Sequence, residues 1–177
     1  MILEKQFKFE VKKPIKFLKF KINDDLVDTK YFINKIDFGC EENKNLSYKT
    51  NVQGKMTKFN FFLNDLKFIN LVKNILNNKI FGKENFKIVD AWGIKMKEGE
   101  FTQEHMHANN DYSAILYLND VNDKIIFPEI NLSIKPFKNT LLFFNGILKH
   151  YTEPLIENKK YAIPFNINII NSWEKYE

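Results

Sequence analysis

The chain contains no arginine: all 27 of its basic residues are lysine. That absence weighs more than the formal net charge of +5 when partners are considered. Arginine makes the bidentate contacts to phosphate and guanine that nucleic-acid readers favour, whereas lysine offers a point charge. The lysines are spread along the whole length among acids, as on a solvated basic surface, and no specific nucleic-acid partner is expected. Cysteine is nearly absent. Cys40 is the single one, so no disulfide framework can form within the chain, which suits a reducing compartment. Long apolar runs are missing as well. The longest apolar runs are only a few residues, as in Leu141–Phe144, far short of a spanning helix. The opening Met1-Ile2-Leu3-Glu4-Lys5 carries both acid and base and lacks the pattern of a signal peptide. The expectation is a soluble cytoplasmic protein with no membrane partner.

What is present suggests one structural unit. With 177 residues the chain can bury a sizeable core without staples. Phe7, Phe9 and Val11 alternate with charges as a half-buried strand does. Ile15, Phe17, Phe20 and Ile22 predict a second strand with one irregularity. Asp24 and Asp25 are placed to cap a short helix carrying Leu26, Tyr31 and Phe32, closed by Gly39. Residues 40–57 read as a polar loop. Phe62, Leu66, Ile69, Val72, Leu76 and Ile80 recur at helical spacing up to Gly82, as in a helix packed on a sheet. From residue 86 the period changes. Eight short strand segments follow: Phe86–Trp92, Gln103–His107, Tyr112–Leu118, Lys124–Phe127, Leu132–Ile134, Thr140–Phe144, His150–Thr152 and Lys160–Ile170. The intervals are too short for crossover helices, so the class is mainly β with N-terminal helices, a sandwich or barrel. Residues 1–85 would then support a core formed by residues 86–177.

The chain has three histidines, and their spacing is suggestive. His105 and His107 form an H-x-H pair, which on a strand places both rings on one face. His150 opens a later strand that a rolled-up antiparallel fold can bring alongside. Three imidazoles, or two and a carboxylate, leave open positions on a metal, as catalytic iron requires. Met106 between them should face away. Trp92, Phe127, Phe143 and Phe144 read as core residues.

The order of motifs in Lys87–Ile170 resembles that of the 2-oxoglutarate/Fe(II) oxygenase superfamily, in particular its small bacterial and phage members. These motifs are Asp90-Ala91-Trp92, Glu98-Gly99-Glu100-Phe101, His105-Met106-His107, Ser113 through Asn119, Phe143-Phe144 with His150, and Lys160 through Asn166. The stretch Tyr117-Leu118-Asn119 through Phe127-Pro128, with Ile134-Lys135-Pro136, is similar to prolyl hydroxylases. Asn51-Val52-Gln53-Gly54 matches a motif upstream of the core in the small oxygenases. The resemblance implies a double-stranded β-helix (a jelly-roll, cupin-like core) with helices packed on one sheet. It also implies Fe(II), 2-oxoglutarate as cosubstrate and O2, with succinate and CO2 released as an unidentified peptidyl or small-molecule substrate is hydroxylated.

Carried over position by position, His105 is the first metal ligand and His150 the last. The family's middle ligand is an acid two residues after the first histidine, where this chain has His107. Strand parity favours His107 itself, and the usual carboxylate favours Asp111. The family's cosubstrate-anchoring arginine falls on Lys160. Tyr117 would assist it with a hydroxyl, and Asn166, of the same strand parity, would face the same cavity. Two other classes stay open. Gly99, His105-x-His107 and Asp111 approximate a cupin motif, which would mean a three-histidine metalloenzyme without 2-oxoglutarate. A jelly-roll binding module without catalysis would bind no metal. The Phe-rich N-terminal strands could pair with a second copy in a homodimer.

Overall fold

The computed structural model describes residues 15–42, 50–156 and 158–170; the alternation at Phe7, Phe9 and Val11 lies outside them. In chain order come β1 (Phe17–Lys21), a 3-10 turn (Asp24–Leu26) and α1 (Thr29–Glu42). Next are β2 (Val52–Gln53), β3 (Lys55–Met56) and α2 (Leu66–Leu76), which continues into a π turn over Asn77–Phe81. The remaining strands are β4 (Phe86–Ala91), β5 (Ile94–Met96), β6 (Phe101–Thr102), β7 (Tyr112–Tyr117), β8 (Ile125–Phe127), β9 (Leu132–Ile134), β10 (Thr140–Asn145), β11 (Tyr151–Thr152) and β12 (Lys160–Ile169).

The large sheet has the order β1-β10-β7-β12-β5-β3, with β4 pairing the far half of β12. Opposite it lie β11-β8-β9 and the pair β2-β6, linked by an antiparallel bridge between His105 and His150. The whole is a double-stranded β-helix with both helices on the outer face of the large sheet. Strands β1 and β3, from the N-terminal half, are members of that sheet.

Period-two alternation sorts the central strands between two cores. Leu141 and Phe143 of β10, Leu116 of β7, and Ile163 and Phe165 of β12 meet the helices. Leu142 and Phe144, Tyr117 and Ala162 face the space between the sheets. With both faces covered, β10 and β12 read as nearly unbroken apolar runs. Pro164 sits within β12 because its missing N–H falls at a gap. Its carbonyl accepts from Trp92 N (3.1 Å), so its nitrogen faces the same edge, where β4 has ended and β5 not begun.

Several local expectations are corrected. Asp24 and Asp25 form a separate 3-10 turn, and Asp28 serves the first turn of α1 by accepting from Tyr31 N (3.1 Å). Gly39 does not close this helix, which runs on to Glu42. It is small because α1 crosses close to another segment there: a Cβ would sit 2.6 Å from Phe61 Cζ and 2.8 Å from Thr57 Cγ2. On α2 the buried stripe is Phe68, Val72 and Leu76, while Leu66 is 74% exposed. Asp65 fixes that rotation. It caps the helix through Phe68 N (2.9 Å), and its carboxylate also takes Tyr31 Oη and Lys35 Nζ. The expected loop at 40–57 contains the tail of α1 and β2 and β3. Among the described residues no helix is long and apolar enough to cross a membrane.

Phe68 joins α2 to the sheet, its ring 5.4 Å from Phe165 and 5.5 Å from Phe62. Phe68→Ala is expected to cost about 3–5 kcal/mol of stability, read as a lowered urea midpoint with little change in slope.

Candidate metal centre

His105 and His150 exchange backbone hydrogen bonds. His105 N donates to His150 O (3.1 Å) and His150 N to His105 O (2.9 Å). Residues so paired in an antiparallel ladder send their side chains to the same face, and the two ring centroids lie 4.2 Å apart. His107 is past the regular strand, in the turn that follows. Its N–H donates to Gly146 O (2.7 Å) and its carbonyl accepts from Asn110 N (2.9 Å). Gly146 is required by this close approach: a Cβ there would sit 2.7 Å from His107 O and closer still to Asn110 O. The H-x-H pair therefore converges through one bridge and one turn, without the continuous strand expected at Gln103–His107. Met106 between the two histidines is exposed.

One ring nitrogen from each histidine lies within 4.8 Å of the others. The ring Nδ1 of His105 is 2.8 Å from Gln103 O, and that of His150 is 3.0 Å from Leu148 O. A carbonyl only accepts, so each Nδ1 carries the proton and each Nε2 is left bare as a ligand atom. Burial favours the neutral rings. It lowers the pKa of His150 to about 3, with the neighbouring His105 adding to the effect. His107 is lowered to about 4 for the same two reasons, and His105 is lowered by burial. Neutral imidazoles with bare nitrogens facing one another fit a divalent metal.

Asp111 stands apart from the cluster. It is exposed, its carboxylate accepts from Ile169 N (2.8 Å), and its own N–H donates to Asn168 Oδ1 (3.0 Å). Both bonds join the His107 turn to the end of β12.

The histidines line a largely apolar cavity of about 40 Å³ between the sheets, together with Trp92, Tyr117, Lys160 and Asn166. Lys160, Ala162, Pro164 and Asn166 alternate along β12, so the parity expected from the sequence is the one observed. Asn166 has its amide engaged: Oδ1 accepts from Ser113 Oγ (2.8 Å) and Nδ2 donates to Asp90 (3.4 Å). Tyr117 is fully buried, and burial, with the charge of Asp123, holds its phenol well above the usual range. Lys160 is 3% exposed and pairs with Asp123 at 2.6 Å, its ammonium 5.6 Å from the Tyr117 ring centroid. The sequence reading missed Asp123, which lies in a polar turn 37 residues before its partner with no local signal to mark it. It also left Trp92 as a core residue only.

With this geometry in view, the fold is similar to that of solved prolyl hydroxylases. No protein-family model matches the chain, and no curated protein matches it by sequence. Solved structures match it well in shape. The viral collagen prolyl hydroxylase of Paramecium bursaria chlorella virus-1, solved as its 2OG complex, superposes with a TM-score of 0.62 at 18% identity, covering 85% of this chain and 94% of that one. A Trichoplax adhaerens prolyl hydroxylase, in complex with a hypoxia inducible factor peptide fragment, gives 0.64 at 13% identity, over 86% and 83%. HygX from Streptomyces hygroscopicus, with iron bound, gives 0.55 at 10%, over 86% and 81%.

Two outcomes are expected. The folded pKa values of His107 and His150 lie below the unfolded value of 6.5, so as pH falls the unfolded chain takes up protons first. Their contribution to stability is complete above pH 6.5 and is lost on acidification toward the folded values. The melting temperature of metal-free protein should fall from pH 6.5 to 4, and a His107→Phe/His150→Phe variant should show a flatter profile. Separately, Lys160→Met strands a buried carboxylate and should cost about 3–5 kcal/mol. Adding Asp123→Asn should recover most of that loss in chemical denaturation.

Proposed function

We propose that this chain is an Fe(II)- and 2-oxoglutarate-dependent dioxygenase that hydroxylates a peptidyl or small-molecule substrate. The observation that carries this reading is the convergence of three neutral imidazoles in the cavity of a double-stranded β-helix. His105, His107 and His150 would hold the iron, with His107 in the place of the usual acid. When bound, the metal supplies the redox chemistry by which 2-oxoglutarate, O2 and R–H become succinate, CO2 and R–OH. The residues hold, orient and exclude water. The carbonyls of Gln103 and Leu148 fix the tautomers of His105 and His150. The apolar wall formed by Ile94, Ile115, Ile125 and Phe144 keeps the site dry.

Lys160 would face the distal carboxylate of 2-oxoglutarate. An ammonium has three donors, and one goes to Asp123, so two stay available to a ligand. Asp123 holds the lysine's head in position, much as a guanidinium's rigid fork would hold itself. The phenol of Tyr117, kept protonated by burial, is suited to donate to the same carboxylate. Peptide binding by the Trichoplax enzyme supports a peptidyl substrate.

Among the described residues no carboxylate joins the histidine cluster, which favours one second reading, a cupin-type three-histidine metalloenzyme that does not use 2-oxoglutarate. One titration separates the two. Anaerobic addition of 2-oxoglutarate to Fe(II)-loaded protein should raise the weak visible charge-transfer band of the chelate, and His150→Ala should abolish it. Tightly held iron with no band would establish the second reading. Protein that retains no metal would be a binding module.

A further inference from the structure

Among the described residues, the buried side-chain polar atoms without a hydrogen-bond partner are Asp123 Oδ1 and Trp92 Nε1. The first is an acceptor on the residue paired with Lys160 and has nothing to offer an anion. The second is different. An indole N–H only donates, and a buried donor without an acceptor is a standing cost that a suitable ligand would remove. Trp92 is 5% exposed and lines the cavity that holds the three histidines. Its ring centroid is 6.1 Å from that of His107.

The backbone says where along the cavity this donor lies. Trp92 N bonds to Pro164 O, and Pro164 is four residues from Lys160 on β12, or about 13 Å at the usual strand rise. The cavity thus has a cation at one end and a neutral donor at the other, on the His107 side. Nearby, Ser113 Oγ donates to Asn166 Oδ1 and the Asn166 amide donates to Asp90, so both side chains are engaged within the protein. A dicarboxylate whose far end meets Lys160 would bring its metal-chelating end to the tryptophan.

We propose that the Trp92 indole N–H donates a hydrogen bond to the metal-chelating carboxylate of the 2-oxo acid, making Trp92 a cosubstrate-binding residue. This rests on the function proposed above. It assigns the two ends of the oxo acid to different residues: the distal carboxylate to Lys160 and the chelating end to Trp92.

The test compares 2-oxoglutarate with 2-oxobutyrate, which lacks the distal carboxylate, in anaerobic titrations of Fe(II)-loaded protein followed by the charge-transfer band. Trp92→Phe keeps a ring against Phe59, whose centroid is 5.3 Å away. It should weaken both oxo acids by about tenfold or more while iron affinity stays unchanged. Equal affinities in the variant and the parent would overturn the proposal and leave the oxygenase reading standing. So would a loss confined to 2-oxoglutarate, which would put Trp92 at the distal end. Failure of the parent protein to give a band would instead remove the oxygenase reading, and this proposal with it. A second measurement covers a variant that does not fold. In Trp173→Phe protein, Trp92 is the single tryptophan. With Zn(II) bound and the indole 15N-labelled, adding 2-oxoglutarate should move the N–H proton downfield. An unmoved resonance under saturating ligand would sink the assignment.

Discussion

The reciprocal backbone pair between His105 and His150 is the constraint on which the site depends. It closes the small sheet by joining the end of β6 to the start of β11, and the same two hydrogen bonds put two imidazoles on one face. Fold closure and ligand placement are therefore one event. Each ring then bonds back to the carbonyl two residues earlier, so backbone geometry sets the tautomer too. His107 joins through a different device, a turn pressed against Gly146. Two of the three imidazoles are thus held by a ladder and the third by a loop. The loop is tied down by Asp111, which pins the turn to β12 through Ile169 and Asn168.

The other constraint is electrostatic. In a chain with no arginine the buried cation of the cavity is a lysine, whose flexible stem and compact charge are poorly preorganised. Burying it opposite Asp123, with the Tyr117 ring beneath, restricts the head group to one place. The arrangement reduces the net charge at that end of the cavity. Breaking one half of such a pair leaves the other charge uncompensated and costs stability.

Much of the fold was legible because β10 and β12 carry unbroken apolar runs and α2 carries a helical stripe. The departures have local causes. Asp24 and Asp25 are plausible caps by composition, but Asp28 sits where the first free N–H groups are. Gly39 looked like a helix end because glycine usually is one; its small size was needed for the contact with Phe61 and Thr57. Leu66 fits the helical stripe by number and faces solvent, since Asp65 and its partners Tyr31 and Lys35 set the rotation of α2.

The sequence by itself determined the mainly β class of the fold, the amphipathic helix ahead of the strands from residue 86 onward, and the residue types able to bind a metal. Those follow from periodicities of two and 3.6 and from the chemistry of imidazole, both of which are local. Only the tertiary structure decided that His107 joins the cluster and Asp111 does not, because that depends on how a turn meets Gly146, 39 residues after His107. It alone paired Lys160 with Asp123 and left the Trp92 N–H without an acceptor. Partners far apart in sequence are chosen by packing, and no local pattern records the choice.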